Sequence, residues 1–92
     1  MEEKILKRMI RMACDAILTM DKLAGYPDVV LQNRLIRNYS IYFCMDLSQE
    51  LLQVAIDTMN GRMKEEKNGV NKMLLLRCRE YWFTNKNKEA FL

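Results

Sequence analysis

Three cysteines, twelve carboxylates and a complete absence of histidine define the chemistry open to this 92-residue chain. Without histidine there is no imidazole base, and the Ser/His/Asp and Cys/His nucleophile systems are excluded. Cys14, Cys44 and Cys78 are spaced too widely for a CxxC redox pair or a zinc knuckle. Their odd number argues against a closed set of disulfides, so we expect buried free thiols in a reducing cytoplasm.

The carboxylates do not suggest a catalytic pair. None of the twelve falls inside a predicted apolar helix face, where burial could raise a carboxyl pKa into a catalytic range. The three glycines are isolated and form no phosphate-binding loop. We therefore predict that the chain is not an enzyme and uses neither a metal nor a cofactor.

Half of the residues are hydrophobic, and the length allows a single domain, residues 1–92. The secondary-structure elements of this domain must position any site. The net charge of +3 is too weak to imply nucleic acid by itself, and basic and acidic residues are mixed along the whole chain. No long apolar run is present, so we expect no secretory signal, no membrane span and a cytoplasmic location.

The first helix has the clearest pattern. Gly25, followed by Tyr26 and Pro27, is a typical helix stop and predicts that this helix covers residues 2–24. Its apolar side chains occupy an arc of roughly 160°, which predicts a core-facing stripe. The members of this stripe are Ile5, Leu6, Met9, Ile10, Met12, Ala13, Ala16, Ile17, Met20, Leu23 and Ala24.

A second helix is predicted from Asp28, whose side chain suits the N-cap position. Residues 41–45 are apolar on every side, and we assign them to this helix because no other strand-like run is present to pair with them. The predicted core residues of the helix are Leu31, Leu35, Ile36, Tyr39, Tyr42 and Phe43. The residues predicted to face water are Asn33, Arg34, Arg37 and Ser40.

Two further helices follow. Asp46 or Ser48 is expected to cap the third, which Gly61 weakens without ending. Asn68 and Gly69 form the predicted turn before the fourth helix. Short connections of this kind favour antiparallel neighbours. The predicted fold class is therefore all-α, a compact bundle of about four helices that dimerisation could complete.

The fourth helix, from about residue 70 to residue 83, carries more apolar surface than one core needs. Its outer stripe suggests a protein interface, most simply in a two-fold homodimer. The alternative is that Phe91 and Leu92, at the end of a short polar tail over residues 84–92, fold back and cover this stripe. The predicted interface anchors are Met73, Leu76, Trp82 and Phe83.

Six cations form a candidate basic patch. On the first helix, a spacing of i, i+3, i+4 and i+7 puts four of them on one face, opposite the apolar arc. The second helix could extend the patch with two more. Such a patch would meet an acidic protein surface or phosphates, although an ordinary solvated face has the same pattern. These residues are Lys4, Lys7, Arg8, Arg11, Arg34 and Arg37.

Eight methionines are a further feature of the sequence. Methionine adapts to irregular gaps and to variable partners, so a methionine-rich helix face can form an adaptable groove. Filling the core is the commoner role. We predict it for Met9, Met20, Met59 and Met63, which all lie in the predicted core arcs.

Together these patterns favour a small non-enzymatic regulatory protein, an adaptor or inhibitor that docks a helical face onto another protein and forms a homodimer. Small proteins of this composition that phages and plasmids encode include such adaptors and inhibitors. The alternative is a nucleic-acid-binding regulator that uses the basic patch against phosphates. A helix-turn-helix motif does not support it, because Ala55 is followed by Met59 where a turn glycine is expected.

Overall fold

Helices make up almost all of the computed structural model, which describes residues 2–23, 25, 28–43 and 47–84. No strand occurs among these residues, and the predicted all-α bundle of four helices is confirmed. The elements are α1 (Glu3–Leu23), α2 (Val29–Phe43), α3 (Gln49–Glu65), α4 (Gly69–Arg79) and a π-helical turn (Glu80–Thr84) that continues α4.

Side-chain caps begin three of the helices. The Asp28 carboxylate accepts a hydrogen bond from the backbone amide three residues later at 3.1 Å, and Ser48 does the same for α3 at 3.2 Å. The Asn68 side chain accepts from the backbone amides of Val70 and Asn71 in the first turn of α4, at 2.9 and 3.1 Å. These contacts satisfy backbone donors that the helix itself cannot pair. Asp28 and Ser48 are thus confirmed as caps, while Asp46 lies outside the described residues.

Gly25 ends α1 in the left-handed conformation, with φ at 81°. Its backbone amide donates to the carbonyl of Lys22 at 3.1 Å, which closes the last turn. A side chain would be strained in this conformation, so the predicted stop is confirmed. Tyr26 and Pro27 lie outside the described residues. Gly61 lies within α3, which continues through it as predicted.

The bundle is arranged around α1. This helix runs antiparallel to α2, because Gln32 contacts Asp21 at one end while Phe43 and Met9 line the same groove at the other. It runs parallel to α3, on which it packs most extensively. The helix α4 runs antiparallel to α3 and, with the π-helical turn, packs on both α2 and α3. The molecule is only 18 Å across in its shortest dimension, so the bundle is thin.

The core lies where the four helices meet, and part of the predicted apolar arc of α1 is outside it. Ile5, Met12 and Met20 were predicted to face the core and are instead exposed. The reason is that α2 and α3 cover less than the full width of the arc. The buried apolar residues are Leu6, Ile10, Ala13, Cys14, Ile17, Ile36, Phe43, Ala55, Met59, Leu74, Leu75, Cys78, Trp82 and Phe83.

Ser40 corrects the prediction for α2, because it was expected to face water and is buried. Its hydroxyl donates to the carbonyl of Arg37 in the same helix at 2.5 Å. A small hydroxyl group that bonds to its own helix can be buried at low cost. The assignment of residues 41–45 to α2 is confirmed as far as Phe43, and Cys44 and Met45 lie outside the described residues.

Candidate functional site

The predicted interface on the fourth helix is divided by the π-helical turn. Neighbouring side chains of an α-helix point about 100° apart, and the prediction accordingly placed Phe83 outside with Met73 and Leu76. The wider π turn directs both Trp82 and Phe83 inward, where they are 7% and 5% exposed. The indole N–H of Trp82 donates to the carbonyl of Ile36 at 2.8 Å. The expected surface positions of Trp82 and Phe83 are therefore corrected; of the four predicted anchors, Met73 is exposed and Leu76 is half-buried.

An apolar groove lies between α1 and α2, lined by residues that the sequence assigned to the core. Its volume is about 260 Å³. Met12, 64% exposed, stands at its edge, whereas Ala13 and Phe43 belong to the core and form its floor. The small alanines of α1 leave the space that a larger side chain would fill. Its lining residues are Met9, Met12, Ala13, Ala16, Tyr39 and Phe43.

An aromatic cluster fixes the α2 wall of this groove. The ring of Phe43 lies 5.1 Å from the ring of Trp82 and 5.4 Å from that of Phe83, measured between centroids. Tyr39 packs edge-on against Trp82 at 6.3 Å. Contacts of this kind favour one arrangement of the rings. The groove wall is therefore preorganised, which lowers the entropic cost of binding a ligand there.

Apolar side chains continue the groove along α1; among them Ile5, Met12 and Met20 are exposed, whereas Met9 and Ala16 are half-buried. Ile5, Met9, Met12, Ala16 and Met20 follow one another at helical spacing, and we call this row the apolar edge of α1. It runs over about 22 Å of helix, at 1.5 Å per residue. Large exposed apolar surfaces with polar surroundings commonly mark interaction sites.

Two cations of the predicted basic patch are already paired. Lys7 forms an ion pair with Glu3 at 3.2 Å on the same helix. Arg11 donates from both terminal nitrogens to the two carboxylate oxygens of Glu65, at 3.1 and 3.2 Å. This contact raises the pKa of Arg11 and lowers that of Glu65, chiefly through the hydrogen bonds between them. Both cations are therefore engaged by carboxylates of the same chain.

The other four basic residues form two separate groups. Lys4 and Arg8 are exposed and make no ion pair with any described residue. Arg34 and Arg37 are exposed on α2. Because α1 and α2 are antiparallel, these arginines lie on the order of 20 Å along the axis from Lys4. The six predicted residues do not make one continuous patch.

A partly buried polar network joins α1, α2 and α4. Gln32 donates to Asp21 at 2.8 Å and accepts from Arg77 at 2.7 Å, and Arg77 also donates to Asn33. Asp21 is buried, which corrects the prediction that no carboxylate lies on an apolar helix face. Its spacing of four residues from Ile17 was the signal for this position. The network ties three helices together through side chains that already have partners.

The cysteines described by the structure are structural. Burial raises the pKa of Cys14 to about 12 and also raises that of Cys78, so both thiols stay protonated and weakly nucleophilic. Cys14 lies against Met59, with 3.4 Å between the sulfur atoms. Cys44 is outside the described residues. Within the described ranges, no three Cys, Asp or Glu side chains are grouped closely enough to hold a metal ion.

No protein-family model, curated protein or solved structure matches this chain. Of the helices that the structure describes, none combines the length and the apolar character needed to cross a lipid bilayer. The groove between α1 and α2 and the exposed helix surfaces are therefore the features that bear on function.

Proposed function

We propose that this chain is a small non-enzymatic regulatory protein of the cytoplasm, an adaptor or inhibitor, that binds an amphipathic helix of another protein in the groove between α1 and α2. The observation that carries this proposal is the open apolar groove with Met12 at its edge and core residues as its floor. A helix laid into such a groove buries side chains at positions i, i+3, i+4 and i+7.

The side chains of the groove suit this role. Met9 and Met12 have flexible, unbranched side chains that adapt to differently shaped partners. The wall formed by Tyr39 and Phe43 is held by aromatic packing. A rigid aromatic wall opposite adaptable methionines combines a preorganised site with tolerance for the partner sequence.

The nucleic-acid alternative has less support from the geometry. Lys7 and Arg11 are ion-paired within the chain, and the remaining basic residues are divided between two separate regions. A phosphate-binding surface needs several cations that act together. A steep fall in duplex affinity with increasing salt, flattened by Arg8→Ala, would favour this alternative.

A selection experiment tests the groove. A displayed library of helical peptides of about 20 residues is selected on the full chain, and the enriched peptides are measured against Met12→Lys and Met73→Lys. Both methionines are exposed, at 64% and 58%, so the two substitutions are matched. We expect Met12→Lys to weaken binding by at least about tenfold, because a charge is buried under the helix, and Met73→Lys to leave it unchanged. If no peptide is enriched, or if only Met73→Lys weakens binding, the proposed site is wrong.

Self-association through Met73 and Leu76 remains a prediction, now with a smaller apolar surface than the sequence suggested. Sedimentation of the wild type and of the variant with Met73→Glu and Leu76→Glu tests it. A wild-type dimer that the double variant abolishes would support a homodimer on α4. A wild-type monomer at tens of micromolar would contradict it.

A further inference from the structure

The last residue that the structure describes, Thr84, lies close to the groove between α1 and α2. It follows Phe83 directly, and the ring of Phe83 lies 5.4 Å from that of Phe43, which lines the groove. The helix directions agree with this contact. Because α1 is parallel to α3 and antiparallel to α2 and α4, α1 begins at the end of the bundle where α2 and the π-helical turn end. Residues 85–92 therefore follow from a point near the groove.

The sequence of residues 85–92 places large apolar side chains several positions beyond this point. Residues 85–89 are Asn, Lys, Asn, Lys and Glu, and Ala90, Phe91 and Leu92 follow. In an extended chain, the stretch from Thr84 to Phe91 can span up to about 23 Å. The α1 part of the groove, from Met9 to Ala16, covers only about 10 Å of helix. The connection is therefore long enough to bring Phe91 and Leu92 into the groove.

The groove offers these two side chains more burial than the outer face of α4 does. Its floor, Ala13 and Phe43, belongs to the core, and none of its described lining residues is charged. The outer face of α4 around Met73 is the surface of a single helix. A side chain is enclosed on several sides in a groove but on only one side by a single helix. Since the removal of apolar surface from water drives such contacts, the groove fits these side chains better.

On these observations we infer that Phe91 and Leu92 occupy the groove of their own chain and compete there with a partner helix. The inference rests on the proposed function and adds the regulation of the same site. A segment tethered this closely has an effective concentration on the order of millimolar, so even weak contacts fill the groove for much of the time. A partner helix, which has no such tether, binds only the fraction of chains with a free groove, and its apparent affinity falls in proportion.

NMR of the full chain, labelled in its methionine methyl groups and phenylalanine rings, tests the occupancy without a partner. The ring signals of Phe91 are assigned by their loss in Phe91→Ser. We expect nuclear Overhauser contacts between this ring and the methyl group of Met9 or Met12. Contacts with Met73 would place the segment on the outer face of α4, and this result or the absence of contacts would overturn the inference. Contacts in a mixture of singly labelled chains would show that the segment binds a second copy, which would also overturn it.

Peptide affinity measures the competition. The helical peptides selected on the groove are titrated by fluorescence anisotropy into the wild type and into a variant of the full chain with Phe91→Ser and Leu92→Ser. We expect this variant to bind at least about threefold more tightly, because its groove is free more often. The matched control, Asn85→Ser with Asn87→Ser, changes two uncharged residues of the same segment and should leave the affinity unchanged.

The outcomes separate the two claims. Unchanged affinity in the variant without Phe91 and Leu92, or an equal gain in the control, would overturn the inference while partner binding in the groove stands. If Phe91 contacts Met9 or Met12 but no peptide binds either the wild type or the variant, occupancy by the chain itself is supported and the proposed function is wrong.

Discussion

The two sides of α1 meet the rest of the molecule in different ways. Towards α3, polar side chains pair across the contact, as Arg11 does with Glu65 and Arg62 does with Asp15, and Cys14 lies against Met59 beneath them. Towards α2, Asp21 accepts a hydrogen bond from Gln32 at one end of the contact, and apolar side chains stand open beside the groove at the other. The helix α1 thus has a closed side, towards α3, and an open side, towards α2.

This difference separates a structural contact from a binding surface. Charged groups that already pair with one another have little free energy to gain from binding a ligand. Exposed methionines gain from burial, by about 25 cal/mol for each Å² of apolar surface removed from water. The side of α1 that is open, rather than the side that is charged, is therefore where we place the function.

The largest expected difference between the two sides concerns methionine. Met59 is fully buried against α1, and Met59→Ala should destabilise the chain by about 2–5 kcal/mol. Met12→Ala makes the same change on the open side of α1 and should alter stability by less than about 0.5 kcal/mol. Urea unfolding followed by the fluorescence of the single tryptophan measures both. Similar losses of unfolding free energy in the two variants would remove the distinction between the two sides of α1.

The buried thiols test how tightly the closed side is packed. In a Cys44→Ser background, Cys14 and Cys78 should react with a disulfide reagent roughly 1,000-fold more slowly in the folded chain than in the unfolded chain. Because folding raises the pKa of Cys14 from 9.0 to about 12, stability should be unaffected below pH 9 and should fall as the pH rises towards 12. Rapid labelling at neutral pH under native conditions would show that this core is open.

Two glycines next to α1 should respond in opposite directions. Gly25→Ala should cost about 1–2 kcal/mol, because alanine is strained at a φ of 81°. Gly61, inside α3 and facing α1, has no atom within 4 Å of an added Cβ, so Gly61→Ala should stabilise by up to about 1 kcal/mol. Thermal unfolding measures both variants. A loss of stability in Gly61→Ala would mean that α1 and α3 lie closer together than described.

The smallest effect belongs to the exposed ion pair across the closed side. A double-mutant cycle with Arg11→Ala and Glu65→Ala should give a weak coupling that disappears at high salt. Since the pKa of Glu65 is lowered, this coupling is present above the ordinary carboxyl pKa and is lost as the pH falls through the lowered value. Coupling that persists in molar salt would contradict the description of the pair as exposed.

Helix positions could be predicted because their signals are local. Asp28 and Ser48 can cap a helix whatever packs against it, and Gly25 stops one in the same way. The periodicity of apolar residues then gives the face of each helix. These features depend on residues within one or two turns, which a single sequence contains.

The groove could not be predicted from the same patterns. Ile10 and Met12 both lie in the predicted apolar arc, yet Ile10 is buried and Met12 is exposed, because only the positions of α2 and α3 decide which part of the arc is covered. The inward turn of Phe83 likewise depends on a π-helical turn. Such turns form where packing favours them, and α-helical periodicity does not indicate them.

Methyl NMR of the methionines tests the central claim most directly. The eight methionine methyl groups report on separate parts of the chain, and a helical peptide selected on the groove is the probe. We expect the signals of Met9 and Met12 to shift on titration, while Met73 on α4 and the buried Met59 keep their positions. Shifts at Met73 with unchanged signals from Met9 and Met12 would contradict binding in the groove between α1 and α2.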